Sequence, residues 1–189
     1  MQAVIDAIQK KQLYVKISVV IGNKKDVYAL ERAKIHNIKA VFIDSKNKER
    51  EQFDKEVAQE LEKSDVELIL LVGYMRILSS WFVNKYKNKI INIHPSLLPA
   101  FAGGMDKDVH AEVLKSKAKV TGCTLHFVDE SVDHGAIIMQ KEVKINKDET
   151  VESLKEKVQK AEQEVIVKAL GLFERGKIRI IGNKVKISQ

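Results

Sequence analysis

The 189-residue chain carries 33 Lys and Arg against 26 Asp and Glu, a formal net charge of +7. With 44% hydrophobic and 31% charged residues it falls in the globular range, which excludes a wholly disordered chain. No apolar run approaches the roughly 20 residues of a membrane helix, and the first eleven residues lack the basic start and apolar middle of a secretory signal.

Periodicity predicts alternating elements. Residues 2–11 place Val4, Ile5 and Ile8 on one helical face. Residues 14–21 are β-branched and read as a strand ended by Gly22-Asn23. A helix over 26–36 follows, with Asp26 as its cap, then a short strand over 40–43. Residues 49–63 are charged and helical, with Phe53, Val57 and Leu61 spaced by four. The near-continuous apolar run 67–73 reads as a parallel strand buried on both faces. A short helix over 79–86 and a buried strand over 89–93 come next, then a loop from His94 to Met105 and a helix over 106–116. Strands over 120–128 and 136–145 succeed one another quickly enough to be antiparallel neighbours. A long helix over 150–175 is capped by Thr150, and the tail pairs two β-rich arms about Gly182-Asn183. Repeated β-then-α units predict an α/β, doubly wound, mostly parallel sheet with an antiparallel C-terminal part, in a single domain over 1–189.

The basic balance (pI near 9.3) raises nucleic acid or an anionic membrane as partners. Yet 28 of the 33 cations are Lys, interleaved with acids, and aromatics are only 6%. That pattern reads as a solvated lysine surface, with no nucleic-acid or membrane partner. The single cysteine, Cys123, excludes an internal disulfide and points to a reducing, cytoplasmic setting.

Both prolines, Pro95 and Pro99, fall in Asn92-Ile93-His94-Pro95-Ser96-Leu97-Leu98-Pro99, directly after a buried strand. Asn92 and His94 are two apart, so they share one face at the carboxyl end of that strand, where open α/β sheets bind ligands. An amide donor beside an imidazole can polarise a carbonyl and move a proton. Asp133, in a tight loop between two strands, could return to orient the imidazole. Taken singly, Asn92 and His94 are equally explained by local hydrogen bonding at a strand end, and Asp133 is better explained as a common turn aspartate.

Together with His126-Phe127-Val128-Asp129-Glu130-Ser131-Val132-Asp133-His134-Gly135, the proline motif resembles the glycinamide ribonucleotide formyltransferases. Gly73-Tyr74-Met75-Arg76-Ile77-Leu78, Arg50 and Lys157-Val158-Gln159-Lys160-Ala161-Glu162 extend the likeness over essentially the whole chain. The resemblance implies formyl transfer from 10-formyltetrahydrofolate to the amine of glycinamide ribonucleotide, in de novo purine biosynthesis, with no metal. It implies Asn92, His94 and Asp133 as the catalytic set. Met75, Arg76, Ile77 and Leu78 would line the folate pocket, with Asp133 also against the pterin. Arg50 would lie near the substrate and folate tail, and Glu162 would contact the ribose hydroxyls.

Family members usually open on a strand and a Gly- and Ser-containing loop that cradles the substrate phosphate. Residue 1 falls where that loop should just have ended, so the domain is expected to be short at its N-terminus, less stable, and poor at binding the ribonucleotide. The alternatives are a folate-binding remnant with impaired catalysis, or another formyl-folate-using enzyme of the same fold. Among the remaining residues, Cys123, Trp81 and Phe82 are expected to pack the core. His126 reads as core or as support for the site, and His36 and His110 read as surface residues.

Overall fold

The computed structural model describes residues 1–104 and 106–188; Met105, in the loop expected after Pro99, lies outside them. In chain order the elements are α1 (Gln2–Gln9), β1 (Val20–Gly22), α2 (Tyr28–Ile35), β2 (Ala40–Phe42), α3 (Arg50–Glu62), β3 (Ile69–Leu71) and α4 (Ser80–Lys85). They continue as β4 (Ile90–His94), α5 (Asp106–Lys115), β5 (Val120–Phe127), β6 (Ile137–Lys144), α6 (Val151–Glu174), β7 (Ile178–Ile181) and β8 (Lys184–Ile187).

The strands form a four-stranded sheet in the order β3-β4-β5-β6, a parallel pair β1-β2 and the hairpin β7-β8. β3 and β4 are parallel, while β5 and β6 add antiparallel, as the quick succession of their sequences requires. In the hairpin Ile181 pairs with Lys184 across two residues, and Gly182 takes the positive φ that such a turn demands.

Two apolar clusters explain the layering. Ile91 and Ile93 of β4 and Cys123, Leu125 and Phe127 of β5 pack with α1, α5 and α6 through Val4, Val113, Leu154 and Val158. On the opposite face Ile90 joins Ala58 and Leu61 of α3 and Phe82 and Tyr86. Strand side chains alternate, so every second residue of β4 and β5 belongs to the large core. The residues between them, Asn92, His94, Thr124 and His126, all project to the other face.

Some expectations need correction. The strand expected over 14–21 makes a ladder only at Val20–Gly22, paired with Ala40–Phe42. β-branched residues favour a strand only where a neighbour offers hydrogen bonds. Val15, Ile17 and Val19 instead pack as partly buried side chains against the two cores. Asp26 does not cap α2; its N-cap is Val27, with no side-chain cap bond. His110, expected at the surface, is buried at 1% exposure, on a helix that packs against α6 and puts Val109 and Val113 into the large core.

α6 has the strongest local signal. The Thr150 hydroxyl accepts the Ser153 N–H at 3.1 Å and the Ser153 hydroxyl accepts the Thr150 N–H at 3.0 Å, a reciprocal cap. Thr150→Ala should therefore destabilise the protein by about 1 kcal/mol in urea unfolding, and a loss well under half of that would show that the cap is redundant.

Candidate active site

β4 carries two residues of the site on its polar face. Asn92 sits opposite His126 of β5, and His94 sits opposite Thr124. Beyond His94 the chain forms the proline loop, whose Leu98-Pro99 peptide is cis. Thr124 suspends this loop: its hydroxyl accepts the Leu98 N–H at 3.0 Å and donates to the Ser96 carbonyl at 2.7 Å. Gln140 of β6 donates to both the Thr124 hydroxyl and the Leu98 carbonyl at 2.9 Å. Since Thr124 is fully buried, these bonds form in a low dielectric and fix the loop firmly.

Asp133 reaches the same face from the other end of β4. The loop after β5 leaves beside Ile90, where the Val128 N–H donates to the Ile90 carbonyl, and folds back over the polar face. Gly135 permits that fold, since a Cβ there would stand 1.8 Å from the Phe127 carbonyl oxygen. Asp133 itself has φ of 58°, a left-handed conformation that aspartate tolerates better than most residues.

The three residues singled out by sequence come together. His94 Nδ1 lies 3.3 Å from Asp133 Oδ2, and His94 Nε2 lies 3.0 Å from the Phe101 carbonyl oxygen. Asp133 Oδ2 also accepts the Gly103 N–H at 2.8 Å, and Oδ1 lies 3.5 Å from His126 Nε2. Asn92 Nδ2 is 3.2 Å from the same His126 nitrogen. Sequence reading left His126 undecided and missed Thr124, Gln140 and Phe101. The available signal was that Thr124 and His126 are polar residues two apart that alternate with the apolar Cys123, Leu125 and Phe127.

Electrostatics at His94 pull in two directions. Burial pushes the imidazolium below its ordinary pKa, while the Asp133 carboxylate and the Phe101 carbonyl oppose this without overcoming it. Burial alone would raise the Asp133 carboxyl, but the His126 ring, the Gly103 N–H and His94 outweigh it, so its pKa is held below the usual value. A carboxylate depressed in the fold stabilises the native state above its unfolded pKa and loses that stabilisation as pH falls through the folded value. A histidine depressed in the fold resists protonation when native, so it too destabilises the protein as pH falls below its unfolded pKa. Both groups therefore weaken the fold in acid.

The other expected residues divide into two places. Met75, Arg76, Ile77 and Leu78 follow β3 at the same sheet edge, and Met75 and Ile77 are each 54% exposed, leaving an apolar surface open there. α3 pins this segment. The Arg76 guanidinium lies 4.8 Å from the Phe53 ring centre, and the buried Asp54 carboxylate accepts the Ser79 N–H at 2.6 Å. Burial, with the Asp54 charge beside it, pushes the Tyr74 hydroxyl up to about 12. Arg50 is exposed in the first turn of α3, on the side of Phe53 and Asp54. Glu162 is half-buried on α6, a helix that packs on the large-core face of the sheet, away from the contacts among Asn92, His94 and Asp133. Its charge acts on the Cys123 thiol, raised to about 12 chiefly by burial, and on the Met1 amine, lowered by burial and by Arg32.

A formyl transferase family model matches residues 1–170. The chain belongs to the formyl transferase family. It is 35% identical over 184 residues to phosphoribosylglycinamide formyltransferase of Haemophilus influenzae, covering 97% of this chain and 85% of that protein. It is 43% identical over 181 residues to the trifunctional purine biosynthetic protein adenosine-3 of Gallus gallus, covering 95% of this chain. The chain spans only 18% of that trifunctional protein's length. The crystal structure of glycinamide ribonucleotide transformylase 1 from Symbiobacterium toebii matches with a TM-score of 0.94 at 36% identity, covering all of this chain and 88% of that one.

For this formyl transferase family member, the opposing influences on His94 give a direct check. The Asp133 charge raises the His94 pKa, so Asp133→Asn should move the His94 protonation midpoint further down, read from its ring carbon-bound proton by NMR titration. A midpoint that stays put or rises would show that the carboxylate does not act on the ring.

Proposed function

We propose that this chain transfers the formyl group of 10-formyltetrahydrofolate to the amine of glycinamide ribonucleotide, in the cytoplasm, as a step of purine biosynthesis. The observation that carries the reading is the His94–Asp133 contact at 3.3 Å on the face that also holds Asn92, in a chain of this family. The names of the Haemophilus influenzae and Symbiobacterium toebii relatives favour glycinamide ribonucleotide as the acceptor. The absence of any helix long and apolar enough to cross a membrane, among the described residues, fits a folate enzyme working in solution.

The chemistry needs three things. The acceptor amine attacks the formyl carbon, a C–N bond forms, and the carbonyl oxygen takes up negative charge. Asn92 donates an N–H to that oxygen, and His94 stabilises the same charge and relays the proton lost by the attacking amine. Collapse then breaks the bond from the formyl carbon to the folate nitrogen, which receives the proton. Asp133 holds the His94 ring and offsets the cost of its transient protonation in a buried place. For Nε2 to face the formyl oxygen, His94 exchanges the Phe101 carbonyl for it. Met75, Arg76, Ile77 and Leu78 supply the apolar and backbone surface for the pterin, Arg50 lies where substrate and folate tail meet, and Glu162 takes the ribose.

Asn92→Ala and His94→Ala should each lower kcat by about 10²–10³, with folate affinity, measured by titration calorimetry, nearly unchanged. Turnover close to that of the unaltered chain in either variant would overturn the assignment. Glu162→Gln should raise KM for glycinamide ribonucleotide roughly tenfold, the scale of one charged hydrogen bond, and leave KM for the folate within about twofold. A change confined to the folate would remove Glu162 from the ribose site.

A further inference from the structure

His126 is the group at this site to which the reaction above gives no role. Its ring is 1% exposed and touches two of the three residues proposed to act. Nδ1 lies 2.8 Å from the Phe127 carbonyl oxygen. A carbonyl only accepts, so Nδ1 carries the hydrogen and, in the neutral ring, Nε2 presents a lone pair. In that neutral ring the lone pair faces Asn92 Nδ2 at 3.2 Å, the nearer partner. Nε2 donates to Asp133 Oδ1, 3.5 Å away, only when the ring is protonated, and that is the contact that lowers the carboxyl. The carboxylate has no hydrogen to give the lone pair, whereas the amide has two.

We propose that His126 is a positioning residue that fixes which way the Asn92 side chain is turned. The proposal rests on the formyl-transfer reading for its consequence but not for its geometry. An asparagine amide has an oxygen and a nitrogen of nearly equal size, and packing alone sets them apart poorly. The Nε2 lone pair accepts one Nδ2–H, which holds the amide nitrogen on the His126 side and leaves the second N–H to point at the developing oxyanion. With the ring in its other tautomer, the amide would turn over and present its carbonyl oxygen to that charge, replacing an attraction by a repulsion. Two bonds thus carry orientation from the Phe127 backbone of β5 to the donor on β4. The cross-strand pairing of Asn92 with His126 sets the distance between them.

Two measurements on the full chain test this. In 15N-labelled protein without ligands, at neutral pH, the His126 ring should show a protonated Nδ1 and a bare Nε2. A through-hydrogen-bond nitrogen–nitrogen coupling should join Nε2 to Asn92 Nδ2. A ring protonated on Nε2, alone or together with Nδ1, would overturn the proposal. In kinetics, His126→Phe keeps the ring's bulk but loses the acceptor, and should lower kcat by about 10² with KM for the folate within about twofold. His126→Gln, whose Oε1 can accept where Nε2 does, should recover at least tenfold of that loss. In an Asn92→Ala background His126→Phe should cost less than about threefold, because the group it orients is gone. Equal losses in both backgrounds would overturn the proposal, since His126 would then act by another route. Folate binding without any turnover in the unaltered chain would count against formyl transfer, and the nitrogen resonances would still decide the part played by His126.

Discussion

The register between β4 and β5 is the constraint on which this site depends. It places Asn92 opposite His126 and His94 opposite Thr124, with Ile91, Ile93, Cys123 and Leu125 on the reverse face. A slip of one residue on β4 would drive Asn92 and His94 into an apolar core and turn isoleucines toward the polar face. The register is therefore held by the whole large core, while the polar residues are passengers on the opposite face. Burial of that core is what makes the polar face rigid. The same alternation that packs the sheet against α1, α5 and α6 presents four polar side chains in a row.

Rigidity at the carboxyl end of β4 comes from a second source. The proline loop has no regular hydrogen-bond ladder, yet two bonds to the buried Thr124 hydroxyl and one from Gln140 to the Leu98 carbonyl hold it. The Ser96 hydroxyl donates to the Ala100 carbonyl at 2.6 Å and tightens the turn further. Phe101 and Gly103 then lie against His94 and Asp133. Both ring nitrogens of His94 face acceptors, a setting that suits an imidazolium, while burial favours the neutral ring. A group balanced between these influences can take up a proton and release it again at modest cost, which is the property proton relay requires.

Much of this was legible in the sequence, for definite reasons. Asn92 and His94 could be placed because strand alternation is local and the following prolines mark the strand's end. α6 could be placed because Thr150 and Ser153 form a cap within four residues. Asp133 could be nominated, but its path could not be foreseen. It leaves from the far end of β4 and returns only because Gly135 lets the chain pass close to the Phe127 carbonyl. His126 was ambiguous because its meaning lies in cross-strand pairing, which one strand's sequence does not contain. The failure at residues 14–19 has the same origin, since β-branched residues announce a strand without saying whether a partner stands beside it. His110 was misplaced because its helix buries more than the apolar stripe alone indicates.

The segment proposed to receive the folate leaves the end of β3 on a course fixed by α3. Its Phe53 takes the Arg76 guanidinium and its Asp54 takes the Ser79 N–H, so the chain leaving β3 is fixed at two points about one helical turn. Asp54 is buried at 1% exposure, and a buried carboxylate is tolerable only when its acceptor sites are filled. The Ser79 N–H therefore serves the helix and the segment together: the bond gives one Asp54 oxygen its partner and sets where α4 begins, since the Ser79 hydroxyl accepts the Phe82 N–H as its cap. Met75 and Ile77 are then held out toward solvent by a backbone anchored on both sides, Gly73 supplying a left-handed turn at φ of 60° where β3 ends. Exposed apolar side chains on a pinned backbone make a preformed surface, which loses little conformational entropy when a flat ring settles on it. In the proposed reading the pterin meets a shape that α3 imposes on the segment, and the Arg76 charge matters mainly through its hold on Phe53.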